Sequence, residues 1–226
     1  MDPHIATSDP WATDSVYREL LTASASTGRW PLWVFDDERV RAPVDPTRAL
    51  AEVDACDAGQ VLSERWPGGC PCCDERLDPF RDGFPGLLPR PAVDPDAALA
   101  HLAQVGDGTY LRVPQLVSVT RPADVPAVIG WMGSFNSWDD TVGMSAVLRS
   151  WEQRFGAMLF LMNHSTLELA VAAPPHTEDE CLRVAAEHIA FCWDAFDTYT
   201  GQITTDTLRE YARRLEGAQR WRFWWD

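Results

Sequence analysis

At 226 residues, with 46% hydrophobic and 23% charged side chains, the chain has ordinary globular composition, and it is long enough to bury a large core without help from metal or disulfide. Its 19 basic residues against 34 acidic ones leave a net charge of −15, spread along the whole sequence, which disfavours nucleic acid and anionic membrane and favours a basic protein partner. All the basic residues are arginine, which excludes a Schiff-base lysine, a P-loop lysine and a kinase strand lysine.

The first ten residues hold two aspartates and no apolar run, so a cytoplasmic location is expected, in which the six cysteines serve as thiols or metal ligands. Thr13 or Asp14 caps a first helix carrying Tyr17, Leu20 and Leu21, which stops near Gly28. Trp30 to Phe35 reads as a buried strand. Asp45-Pro46 opens a short helix through Leu50 and Val53, since aspartate caps and proline is tolerated at the first helical position. From about residue 68 to 91, proline, glycine and cysteine crowd together, and an irregular loop is expected.

Asp94-Pro95 repeats the start signal for a helix ending at Gly106, followed by a strand over Tyr110 to Val119. The one candidate boundary lies here. It separates an N-terminal half, 1–110, from a C-terminal α/β core, 111–226, the two being expected in one compact unit. Asp139 or Asp140 begins a helix with Met144, Val147, Leu148, Trp151 and Phe155 at helical spacing, closed by Gly156. Arg149, Glu152 and Arg154 read as its wet face. Strands over Ala157 to Asn163 and Thr166 to Ala172 form a hairpin around His164-Ser165. Thr177 and Glu180 form a capping box that launches a helix to about Trp193, and a last helix spans Asp206 to Glu216. The chain ends in a tryptophan-rich strand, Trp221 to Asp226, whose rings alternate on both sides and so suggest cover on both faces. The fold class expected is α/β of mixed α+β type, a mixed sheet with helices packed against it.

Several segments in this pattern carry a resemblance: Thr27 to Pro31, Leu148 to Ala157, Leu167 to Leu169 with Pro174-Pro175, Ala186 to His188 with Phe191-Cys192, and the closing Trp224-Trp225-Asp226. Together they resemble the bacterial family catalogued as domain of unknown function 4253, over most of the chain and most densely from Ile129 onward. Where that family has Phe-Cys-Pro-Asp, this chain has Phe191-Cys192-Trp193-Asp194. The resemblance implies a fold and no activity.

Cys70 and Cys73 have the two-residue gap that lets two thiolates reach one zinc ion, with Cys72 between them and Cys56 upstream as further candidates, but no second pair completes the site. An unmetallated loop is the alternative. Cys181, His188 and Cys192 fall at i, i+7 and i+11 of one helix and share a face. Glu187, His188 and Cys192 are therefore candidate catalytic residues, with Glu187 as base, against the alternative of ordinary core packing. Asn136 and Trp138, with Phe135, stand in a polar loop ahead of a helix, where capping competes with ligand binding, and Trp224 is a candidate anchor if its face of the last strand is uncovered. No nucleophile elbow, zinc-protease helix, dinucleotide fingerprint or calcium loop is present. The leading expectation is a non-enzymatic binding or regulatory protein for a basic partner. The rival is a metalloprotein or enzyme built on Glu187, His188 and Cys192 or on zinc at Cys70 and Cys73.

Overall fold

The computed structural model describes residues 14–34, 42, 44–69, 75–105, 114–134, 136–196 and 203–225. A five-stranded mixed sheet holds the chain together in the order β2-β1-β3-β4-β5. Strand β1 (Trp30–Val34) pairs antiparallel with β2 (Gln115–Val117) and parallel with β3 (Ala157–Met162), which forms the expected hairpin with β4 (Thr166–Val171). The last strand, β5 (Arg220–Trp224), runs antiparallel to β4 and is an edge.

Local chemistry accounts for most of the helices. Helix α1 (Asp14–Thr27) stops where Gly28 turns to a φ of +64°. The Asp45 carboxylate accepts from the N–H groups of Thr47 and Arg48 and so starts α2 (Pro46–Ala55), and Asp57 does the same through Gln60 for α3 (Ala58–Arg65). Helix α4 (Pro95–Val105) follows the long irregular segment, and α5 (Val125–Ile129) follows a 3-10 turn over Pro122–Asp124. Asp140 caps α6 (Thr141–Phe155) by accepting from the Gly143 N–H. Thr177 and Glu180 make the reciprocal capping box of α7 (Glu178–Phe191), and Thr204 with Thr207 starts α8 (Thr205–Leu215).

Both faces of the central strands are covered, which is why every residue of β3 is buried. On one face α6 and α7 bring Trp151, His188 and Phe191 against Trp221 and Phe223 of β5. On the other, α4 packs on β3 and β4, joined to α1 by Arg18, whose Nε donates to the Ala103 carbonyl. The apolar core draws on residues from Tyr17 to Trp225.

Gly156 ends α6 with a φ of +57°, and a Cβ there would meet the Cβ atoms of Ala98 and Ala172 and Cγ1 of Val93, each at 3.0 Å. Gly156→Ala is expected to cost about 1–2 kcal/mol from the left-handed backbone, read as a lower urea midpoint with unchanged slope.

Three expectations need correction. Strand β5 is covered on one face only: Trp221, Phe223 and Trp225 are buried while Arg222 and Trp224 face solvent, because it is the edge strand and α4 lies over β3 and β4. The strand expected from Tyr110 is confined, among the described residues, to Gln115–Val117, and 106–113 lie outside them. Finally, Arg149, Glu152 and Arg154 are not a wet face. Arg149 pairs with Asp54 and Asp124 and Glu152 accepts from Arg121, an ionic seam against α2 and the Pro122–Asp124 turn, while Arg154 is buried and turned to α7.

Candidate functional site

Trp151 and Arg154 are three residues apart on α6 and project toward α7, where Glu187 and His188 are both wholly buried. The Glu187 carboxylate is met by four donors. Arg154 grips it bidentately, Nη1 to Oε1 at 2.9 Å and Nη2 to Oε2 at 2.6 Å, Trp151 Nε1 donates to Oε2 at 2.7 Å, and the Leu88 N–H donates to Oε1 at 2.8 Å. Arg154 in turn donates to the Leu88 carbonyl and, through Nε, to Ser150 Oγ. A carboxylate offers about four lone-pair sites, so this one has none left for a substrate proton. The network binds the segment around Leu88 to α6 and α7.

His188 sits in an aromatic cage. Its ring lies 4.5 Å from that of Trp221, 4.8 Å from Phe223 and 4.9 Å from Trp151, and Nδ1 is 3.0 Å from the Tyr211 hydroxyl. Nε2 is buried without a partner among the described residues, whichever tautomer the Tyr211 contact selects. Burial first, and then the Arg154 charge, push the imidazole pKa well below its ordinary value, so it is neutral. Cys192 closes the C-terminus of α7 and is buried, its Sγ donating to the Trp224 carbonyl at 3.1 Å. Glu187, His188 and Cys192 thus occupy three separate surroundings, a salt-bridge knot, a ring cage and the end of β5.

Cys181, on the same face, is buried beside a cavity of about 370 Å³ between α7 and α8, and neither Glu187 nor His188 lines that cavity. Burial, then Glu216 and Glu180, raise the Cys181 thiol to about 11.

Trp138 is buried, with the Arg65 guanidinium 4.1 Å over its ring and Phe191 edge-on at 5.2 Å, so its surface is already taken. Asn136 is exposed in the turn closed by Ser134, which accepts from the N–H groups of Ser137 and Trp138, while Phe135 lies outside the described residues. Neither Asn136 nor Asp139 caps the following helix; Asp140 does.

Of the zinc candidates, Cys70, Cys72 and Cys73 lie outside the described residues. Cys56 is half-buried, and burial, then Asp140, Asp57 and Glu64, raise its pKa, which opposes the thiolate that a metal needs. Among the described residues no group of three or more His, Cys, Asp or Glu side chains is placed to hold a metal ion. Among them too, no helix is long and apolar enough to cross a membrane.

The fold and these residues define a mixed α/β domain whose candidate acid–base residues are part of its interior. Residues 115–226 match the family model described as Domain of unknown function (DUF4253), and this half of the chain belongs to that family. No curated protein and no solved structure matches the chain. The matched stretch starts at the first residue of β2, so Thr27 to Pro31 lies outside it, as do β1, which joins β2 to β3 in the sheet, and Leu88 in the Glu187 network.

Sequence reasoning missed Arg154 and Trp151 as partners of Glu187. The available signal was that both fall on the apolar face of α6, where an arginine needs a buried acid. Nothing local pointed to Leu88.

Proposed function

We propose that the chain is a non-enzymatic binding or regulatory protein for a basic protein partner, docked at the end of the sheet where β5 finishes. One observation carries this reading. Trp193 and Trp224 are 45% and 44% exposed while the other large aromatics described are buried or half-buried. They lie at the same end of the edge strand, since Cys192, next to Trp193, donates to the Trp224 carbonyl and the 3-10 turn Trp193–Phe196 packs against β5. Exposed tryptophan on a rigid element supplies area at little entropic cost and is over-represented among binding hot spots. The charge of −15 adds long-range attraction for a basic surface.

The test is retention of a host protein by the immobilised chain at low and moderate salt, with Trp193→Ala/Trp224→Ala alongside. The expected result is one basic protein held by the unaltered chain, more weakly as salt rises, and about 30-fold more weakly by the double variant, as loss of a hot spot entails. Both side chains are exposed, so the double variant should unfold within about 0.5 kcal/mol per site of the parent. Equal retention by the two chains, or no partner at low salt, sinks the reading.

A further inference from the structure

The cavity between α7 and α8 carries charges that the rest of the fold leaves unanswered. Arg209 and Arg213 line it, together with His176, while Glu178 and Glu216 stand on the same wall and the buried Cys181 thiol closes the apolar side. In a chain with 34 carboxylates to 19 arginines, a guanidinium has many possible partners, and several arginines elsewhere find one: Arg48 with Glu52, Arg149 with Asp54 and Asp124, Arg154 with Glu187. Even Arg214, adjacent to Arg213, pairs with Glu210 at 2.5 Å. Arg209 and Arg213 make no hydrogen bond or ion pair among the described residues, although two glutamates line the same cavity.

The pair stands one turn apart on α8, at i and i+4, where like charges repel. Attraction to the helix C-terminus favours Arg213, in the last turn, but has faded by Arg209. The Cys181 thiol, raised to about 11, stays neutral and so puts no competing negative charge on the floor. His176 is exposed, and its ring makes no hydrogen bond among the described residues; its backbone N–H donates to Glu180.

We infer that this cavity is a binding site for a small oxyanion-bearing molecule, a carboxylate or a phosphate monoester, held in the two guanidinium forks, with Glu178 and Glu216 left to accept from a hydroxyl or ammonium on the same ligand. Guanidinium forks match the planar, two-oxygen face of either anion, and such charge-assisted pairs are the strong ones. A volume of about 370 Å³ is that of a small-metabolite pocket. The inference is independent of the docking surface at Trp193 and Trp224.

Titration calorimetry of the full chain with inorganic phosphate, with succinate and with glycerol phosphate tests it and separates the two anion sources. Saturable binding of at least one of them is expected, weakened about 10-fold or more in Arg209→Ala/Arg213→Ala. The Trp224→Ala chain should bind as the parent does. Arg209→Lys/Arg213→Lys keeps the charge and loses the forks, so it should fall between parent and alanine pair; equal binding by the lysine and arginine chains would show a diffuse charge effect and overturn the fork assignment. Absence of saturation with all three anions, or undiminished binding by the alanine pair, overturns the site itself. All three variants are at exposed positions, and matching urea midpoints would confirm that they compare folded proteins.

Discussion

Glu187→Gln should lower the free energy of unfolding by about 3–5 kcal/mol, measured by urea denaturation at neutral pH, because removing one partner of a buried ion pair leaves the other charged and uncompensated. The substitution keeps volume and shape almost unchanged, so the loss is electrostatic. The amide nitrogen of glutamine can only donate, and it would face a guanidinium, an indole N–H or the Leu88 N–H, all donors themselves. Domain stabilities of about 5–15 kcal/mol make this a large fraction of the whole. A double variant, Glu187→Leu/Arg154→Met, should recover part of the loss, since neither charge then remains buried. Recovery stays incomplete because Trp151 Nε1 and the Leu88 N–H still lack an acceptor, each costing about 1–3 kcal/mol. If Glu187→Gln stays within 1 kcal/mol of the parent, by the same scale for such pairs, the network does not carry the charge as described. The same experiment bears on catalysis: a glutamate acting as base would be replaceable at little cost in stability, whereas one gripped by four donors is not.

The fold was legible wherever a local signal sufficed. Asp45, Asp140, the Thr177/Glu180 box and Gly156 each act within four residues of the helix end that they define, and each does so in the structure. The mixed sheet and the hairpin of β3 and β4 also followed from pattern. Helices α3 and α5 did not, being eight and five residues long, too short for a clear period, and α5 carries a proline in its first turn. Charged side chains on α6 were misread because their partners are remote: Asp54 lies 95 positions from Arg149, and Glu187 lies 33 from Arg154. Composition along one helix cannot reveal such pairs, so solvation was the default. The cover expected on both faces of β5 failed for a related reason. Alternating aromatics suit a covered central strand, and only the strand order shows that β5 is an edge. Helical spacing put Cys181 and His188 among the buried positions of α7, whereas Cys192 is its C-cap with extended backbone. What that face meets is decided by α6, α8 and β5, which the spacing does not contain.

Stability should fall as pH is lowered below about 6.5, by roughly 1.4 kcal/mol for each further unit, through His188. The imidazole is neutral in the folded chain because burial and then the Arg154 charge depress its pKa, whereas in the unfolded chain it titrates at its ordinary value. Below that value the unfolded state binds a proton that the folded state does not, so acid favours unfolding. Above it, neither state binds one and the dependence vanishes. The loss amounts to about 2 kcal/mol by pH 5, provided that the folded value lies lower still. His188→Phe isolates the contribution: it keeps a ring among Trp151, Trp221 and Phe223, costs some stability at all pH values by leaving the Tyr211 hydroxyl without its partner, and removes the proton. Urea midpoints from about pH 7.5 to 5 should therefore converge, the parent descending toward the variant as acid is added. Parallel curves would mean that His188 reaches water, and with it the buried cage would have to be given up. Arg154 supplies part of the depression, so Arg154→Met should lift the folded pKa and shrink the difference, an effect that a purely steric role for the histidine would not produce.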